Sequence, residues 1–398
     1  MKILLIHDFY QQFGGEDQAV QADLALLRRA GLEVEVYSRH NDELKSYSLV
    51  RKALFPLNAI HSSQTMRDLA AVASKFKPDV AYLHNLYPLI SPSVYDALER
   101  FGIPAVQTLH DFRPFCSNGW CRTEGEICQR CVTGAHWNAV VHKCVRNSRV
   151  VSGIYAATMW RLRSSGALGR VAAFICPAEF VRGKAQAAGI PSEKLFVRPH
   201  FIDLEKFQPK SLPGDHALYM GRLSEEKGVR TLLEAFHLAP RIPLVIAGSG
   251  PLEADLRRYV SERGMKNVRF AGFCSGREKM DLLQRASFVV VPSEVWETFG
   301  IVILEAYAMG RPVIGSDVGA IPNLVKDGHT GFLFHSGSAA GLAGKAELLS
   351  RDSALARRMG LAGRRLVESE YDAGPALDRL MNIFSKVTGN SVAHAVHV

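Results

Sequence analysis

The stretch Val291-Pro-Ser-Glu-Val-Trp-Glu-Thr-Phe-Gly-Ile-Val-Ile-Leu-Glu-Ala306 decides the reading of the whole chain. It closes a short apolar, β-rich run from Phe288 to Val291, passes through loop residues from Pro292 to Trp296, and continues from Ile301 to Met309 with helical spacing. The prediction is strand, loop, helix. Two carboxylates, Glu297 and Glu305, stand eight residues apart across the turn. On one continuous helix they would be rotated by about 80° at 3.6 residues per turn, which disfavours the facing acid–base pair of a glycoside hydrolase. With Glu297 in the loop and Glu305 inside the helix, both reach a ligand lying along the helix N-terminus, where unpaired N–H groups attract phosphate. A diphosphate between two hydroxyl-rich rings fits that arrangement.

The same alternation extends outward in both directions. In the first half, strands are expected at 2–6, 33–37, 79–83, 104–109, 171–175 and 195–198, with helices near 17–30, 66–76, 92–101 and 180–188 between them. These strands are near-continuous apolar runs, as a parallel sheet covered on both faces requires. Residues 203–215, rich in proline and polar side chains, read as a linker. A second alternation follows, with strands at 217–220, 244–247, 268–270, 288–291 and 312–315. The fold class is therefore α/β, with two Rossmann-like domains in tandem. Residues 372–387 form an amphipathic segment bearing Ala376, Leu377, Leu380, Ile383 and Phe384, and 389–398 read as a disordered tail.

Composition narrows the class further. A chain of 398 residues, 47% hydrophobic and 22% charged, has core enough for two globular domains. It lacks an uninterrupted apolar run of about 18 residues, and its N-terminal apolar run meets His7-Asp8 at once, so the expected location is cytoplasmic. The formal charge is +9, and residues 112–170 carry nine Arg or Lys against two Glu. Such a surface suits anionic lipid or a charged ligand. Without a helix-turn-helix, an RNP pattern or an aromatic-interleaved groove, nucleic acid is not expected as a partner.

Further motifs fall after predicted strands, where open α/β sheets bind ligands. Phe13-Gly14-Gly15 permits close backbone approach in the first βα turn, but it is not the Gly-x-Gly-x-x-Gly of nicotinamide binding. Gly221-Arg222-Leu-Ser-Glu-Glu-Lys227-Gly228 offers a planar guanidinium and a point charge, the complement of a diphosphate; the competing reading is a pair of solvated cations. Gly248-Ser249-Gly250-Pro251, Gly272-Phe273, Leu83-His84-Asn85 and Leu109-His110-Asp111 complete the set.

Together these segments resemble the retaining glycosyltransferases of family 4, the glycogen-synthase-like group, from the Gly pair to the last helix. The resemblance implies the two-domain GT-B architecture, with parallel sheets facing across a cleft and the last helix crossing back to the N-terminal domain. The implied boundaries are 1–205 for the acceptor-side domain with a cysteine-rich insertion at 116–144, 206–371 for the nucleotide-sugar domain, and 372–388 for the crossover helix. The donor is a UDP- or GDP-sugar, contacted in the family by positions matching Gly14, Gly15, Arg222, Lys227, Gly248, Ser249, Gly250, Phe273, Phe299, Gly300, Ile301 and Glu305. Catalytic roles fall to His110, Glu297, Arg222 and Lys227, without a catalytic divalent metal. One departure is Pro199-His200-Phe-Ile-Asp203, where the family commonly has Asn-Gly before a Val or Ile and the Asp.

Five of the seven cysteines fall within 116–144. In a cytosolic setting that density favours metal over disulfide, and Cys116, Cys128, Cys131 and Cys144 read as one structural zinc set, matching a cysteine-bearing subset of the family. His136 and His142 are alternative ligands, and reduced buried thiols are the competing reading. The segment 146–170 interleaves Arg146, Arg149, Arg161, Arg163 and Arg170 with Val150, Tyr155, Met159 and Trp160, which suits an anionic membrane surface and a lipid-linked acceptor. A helix packed on its own sheet explains the same pattern. The leading function is hexosyl transfer to a hydroxyl acceptor in bacterial surface polysaccharide or glycolipid assembly. A nucleotide-sugar epimerase of the same fold, or a non-catalytic sugar-nucleotide or zinc-dependent interaction protein, are the alternatives.

Overall fold

The computed structural model describes residues 1–11, 14–209 and 214–389. Phe13, residues 210–213 of the expected linker and all of the expected tail except Gly389 lie outside the described residues. The chain divides into two compact units, Met1–Pro199 joined by the chain from Ala376 on, and His200–Pro375.

The first unit is built on β1 (Lys2–Phe9), β2 (Glu33–His40), β3 (Val80–Leu83) and β4 (Ala105–Thr108), then a short antiparallel ribbon of β5 (Arg122–Thr123) and β6 (Glu126–Ile127), then β7 (Ala173–Cys176) and β8 (Leu195–Val197). The main sheet runs β2-β1-β3-β4-β7-β8, with every pair parallel. Six consecutive residues of β1, Ile3 to Asp8, are buried, because helices cover both faces of this sheet. The helix Gly15–Arg29 starts where the Asp17 carboxylate accepts from the Gly14 N–H at 3.0 Å, and its acidic first turn and basic last turn both complement the helix dipole.

The last helix, Ala373–Thr388, buries Ala376, Leu377, Leu380, Met381, Ile383 and Phe384. Phe384 meets Tyr82 of β3 edge-on at 5.4 Å, so the amphipathic face expected from the sequence completes the first unit's core. Each fully buried Leu or Phe on that face contributes about 1.5–3 kcal/mol. Beside it lies a buried ion pair that the sequence did not announce. Arg198, 1% exposed, donates to both carboxylate oxygens of Asp23 at 2.6 and 3.0 Å and to the Ala376 carbonyl at 3.3 Å.

The second unit repeats the plan with β9 (His216–Met220), β10 (Leu244–Ala247), β11 (Val268–Gly272), β12 (Ala286–Val291), β13 (Val313–Ser316) and β14 (Gly331–Phe334), ordered β11-β10-β9-β12-β13-β14 and all parallel. β14 was not foreseen, since its four residues follow Thr330 without an apolar run long enough to register. Also unforeseen was the helix Leu49–Ile60, which the Pro56 in its interior argued against.

Candidate functional site

In each sheet the chain winds outward from its first strand in both directions, and the reversal creates a crevice at the strand C-termini. In the second unit that crevice lies between β9 and β12. Arg222 and Lys227 follow β9, and the loop carrying Glu297 follows β12. Gly228, after β9, and Gly319, after β13, let their loops close on the one that follows β12. A Cβ on Gly228, at φ +65°, would stand 1.9 Å from the Pro292 carbonyl oxygen, and one on Gly319, at φ +62°, would stand 2.4 Å from the Glu297 nitrogen.

The loop ends at Gly300, in the left-handed region at φ +107°, which opens the helix Ile301–Ala308. Glu297 therefore sits ahead of the helix and Glu305 within it, as the spacing predicted. Each carboxylate is held by a lysine. Lys227 Nζ donates to Glu297 Oε1 at 2.5 Å, and Ser293 Oγ donates to the same oxygen at 2.5 Å. Lys279, from the helix Gly276–Arg285, donates to Glu305 Oε1 at 2.5 Å. Glu305 is 3% exposed. Burial pushes the Glu297 carboxyl up, but the Lys227 ammonium and the Ser293 hydroxyl outweigh it, and the net shift is down. Burial likewise opposes the charge on Lys227, and Glu297 reverses it. Glu297 is thus an anion and Lys227 a cation at neutral pH.

Gly248, Ser249 and Gly250 follow β10 and dock beneath the β9 loop, where Leu223 N–H donates to the Ser249 carbonyl at 2.9 Å. Arg222 is exposed, and Phe273, just past β11, is 64% exposed. Phe299 is buried, its ring 5.1 Å from that of His200 in an edge-on contact, so the departing His200 serves as a packing partner for the motif loop. Ile301 is the first residue of the helix. Lys279 was missed by sequence reasoning, because a lysine 26 residues upstream of its partner carries no local signature.

In the first unit the crevice lies between β1 and β3. Gly14 caps the helix that follows β1, with Gly15 its first residue, while His84 and His110 follow β3 and β4. His84 Nδ1 and His110 Nε2 are 2.8 Å apart with rings stacked at 5.1 Å, so one ring donates to the other. Neither needs to leave the core to do so, at 2% and 8% exposure. His7 pairs with the Asp17 carboxylate at 2.9 Å, both buried.

The zinc expectation requires correction. Burial and the neighbouring thiols Cys116, Cys144 and Cys128 push Cys131 up to about 12, so the cysteines share one region. Yet among the described residues no group of three or more His, Cys, Asp or Glu is disposed to hold a metal ion. Cys116 is instead engaged by Cys121, which the expected ligand set omitted, and donates to Asn118 Oδ1 at 3.1 Å. Cys144 pairs with Thr123 at 3.6 Å, and His142 is held by Glu124 and Arg130. Within the basic segment 146–170, Arg161 and Arg170 bind Asp96, and Arg163 donates to the Val132 and Ala188 carbonyls.

Both halves of the chain are similar to known proteins. The family model for Glycosyl transferases group 1 matches residues 203–366, and that for Glycosyltransferase Family 4 matches 22–206. The chain is 27% identical over 307 residues to the glycogen synthase of Mycobacterium tuberculosis, covering 75% of this chain and 66% of that protein. It is 32% identical over 170 residues to the O-antigen chain mannosyltransferase C of Escherichia coli, covering 42% and 46%. The matched stretches thus span about half to two thirds of these relatives. The crystal structure of Anabaena HepE in complex with UDP and glucose superposes with a TM-score of 0.68 at 17% identity, covering 96% of this chain and 99% of that one, a likeness of fold. With both halves matched in order and the Glu297–Glu305 motif seated at the strand ends, the chain belongs to the glycogen-synthase-like glycosyltransferases of family 4.

Proposed function

We propose that the protein transfers a hexose-type sugar from a UDP- or GDP-linked donor to a hydroxyl acceptor, with retention at the anomeric carbon. The observation that carries this reading is the seating of the two motif carboxylates, each on its own lysine, beside the N-terminus of the helix Ile301–Ala308. The helix N–H groups, Arg222 and Lys227 supply positive potential for a diphosphate. On this reading Glu305 holds the ribose diol and Glu297 the sugar hydroxyls. In the transfer the bond from the anomeric carbon to the diphosphate oxygen breaks, the acceptor oxygen forms the new glycosidic bond on the same face, and its proton passes to the departing diphosphate. The similarity to the O-antigen chain mannosyltransferase supports surface polysaccharide as a setting. A thermal-shift panel of nucleotide sugars tests the reading: the right donor at a hundred times its dissociation constant should stabilise by about 2.7 kcal/mol. No shift with any UDP- or GDP-sugar would refute it.

The two glutamates separate under mutation. Glu305→Ala is expected to weaken donor binding by on the order of 1.5–3 kcal/mol, the worth of a charged hydrogen bond, while Glu297→Ala chiefly lowers turnover. Calorimetric titration beside single-turnover rates distinguishes them, and equal donor affinity in both variants and the wild type would remove the assignment.

A peripheral position on an anionic membrane, with a lipid-linked acceptor, is favoured by a different helix from the one the sequence suggested. Among the described residues no helix is long and apolar enough to cross a membrane. The helix Leu49–Ile60 buries Ala59 but leaves Leu49 85%, Val50 68%, Leu54 47% and Leu57 65% exposed. Val50, Leu54 and Leu57 share one face by helical spacing, and Arg51 and Lys52 flank it. No acidic residue occurs from 44 to 67, which complements an anionic leaflet, where each cation contributes about 1 kcal/mol. The protein should co-sediment with phosphatidylglycerol vesicles but not phosphatidylcholine ones, and Leu54→Glu with Leu57→Glu should abolish that. Equal sedimentation of the double variant would exclude this helix.

A further inference from the structure

The crevice of the first unit holds a carboxylic acid that the transfer chemistry leaves unassigned. Glu16, in the first turn of the helix Gly15–Arg29, lines a cavity of about 20 Å³ together with His84, Asn85, Tyr87, Thr108, His110 and Asp111. That volume is enough to take a group of water size, such as a hydroxyl. Two polar atoms of its lining residues are buried without a hydrogen-bond partner among the described residues: Glu16 Oε2 and the Tyr87 hydroxyl. Tyr87 itself is only 4% exposed. Buried polar groups are ordinarily satisfied, so two in one lining ask for an incoming partner.

We infer that this cavity is a subsite for one hydroxyl arm of the acceptor saccharide, with Glu16 as its specificity-determining contact. The inference rests on the transferase reading above. The charges around the cavity select a neutral group over an anion. Glu16 is faced by Tyr10, Asp17, Asp111 and Arg113, and Asp111 is itself held by Arg113 at 3.4 Å. A phosphate here would meet Asp111, whereas a hydroxyl can accept from a protonated Glu16 and donate to a neighbouring oxygen. Burial, then the Asp111 charge, pushes the Glu16 carboxyl up to about 8, so it carries its proton at neutral pH. His84 and His110 line the same cavity and hold each other, which leaves Glu16 as the acid facing the arm.

Saturation-transfer NMR on the full chain tests this, with methyl glucosides, galactosides and mannosides of both anomers as probes in the presence of saturating UDP or GDP. At least one glycoside should bind the wild type at pH 6.5 and weaken as pH rises through about 8. Glu16→Gln, which keeps shape and donor capacity, should retain binding and flatten that pH response. Glu16→Ala should weaken it by tenfold or more while nucleotide affinity stays unchanged. The idea is overturned if no glycoside binds, if Glu16→Ala binds as the wild type does, or if Glu16→Gln keeps the same fall near pH 8. Loss of nucleotide binding in the wild type would instead refute the transferase reading, so the two failures are told apart.

Discussion

Lys227→Ala is expected to reduce sugar transfer by a hundredfold to a thousandfold with the fold intact. The ammonium stands at the end of β9, bonded to Glu297 and a third exposed, so removing it opens no core cavity. What is lost is a positive charge where negative charge develops on the departing diphosphate, and one such contact contributes about 2.7–4 kcal/mol. A second effect adds to the first. Glu297 is held below the usual carboxylate range by Lys227 and Ser293 against the pull of burial, and without Lys227 its pKa rises. The activity of Lys227→Ala should therefore fall further as pH drops toward the acid range, where the wild type keeps Glu297 ionised. Arg222→Ala should be comparably impaired without that pH dependence, since Arg222 is exposed and is not among the groups that hold Glu297 down. Initial rates from pH 5 to 8 check both, and transfer by Lys227→Ala within threefold of the wild type would move the phosphate site elsewhere.

Arg198→Ala is expected to destabilise the first unit by about 3–5 kcal/mol, because Asp23 is then left as an uncompensated charge in the core. Both side chains are nearly inaccessible, at 1% and 2%, and Asp23 also accepts from the Tyr82 hydroxyl at 2.8 Å. Replacing both members, Arg198→Leu with Asp23→Leu, should recover much of the loss, since the desolvation cost disappears with the charges. Urea unfolding followed by tryptophan fluorescence suits the measurement, as Trp120, Trp137 and Trp160 all report on this unit. A change below 1 kcal/mol in the single variant would show that the pair is not what holds this corner.

How far the sequence could be read depended on how local each signal was. The buried parallel strands announced themselves because both faces of each are covered, so β1 reads as an unbroken apolar run from Ile3 to Ile6. The placement of Glu297 before the helix and Glu305 within it followed from Gly300 and the helix formers beyond it. Partnerships between distant residues were illegible: Lys279 with Glu305, Asp23 with Arg198. The cysteine spacing was a poor guide because sequence separation counts residues and ignores direction, and Cys121, outside the expected ligand set, is the residue that engages Cys116. The basic segment 146–170 hid its ion pairs for a related reason, since Arg161 and Arg170 read as surface charge while Asp96 lies out of view on another helix.

The last helix gives the chain an order of assembly. The core against β3 is finished by Phe384, and Arg198 finds its third acceptor at Ala376, yet both are translated only after the entire second unit. A ribosome delivering this chain from its N-terminus presents a six-stranded sheet with an uncovered apolar strip, followed by a domain able to close on itself. The strip stays uncovered for the whole time the second domain is being made. Nascent first units are thus exposed to chaperones and to one another during that interval, and a stalled or truncated product ending before Ala376 would release a folded second domain tethered to an unfinished partner.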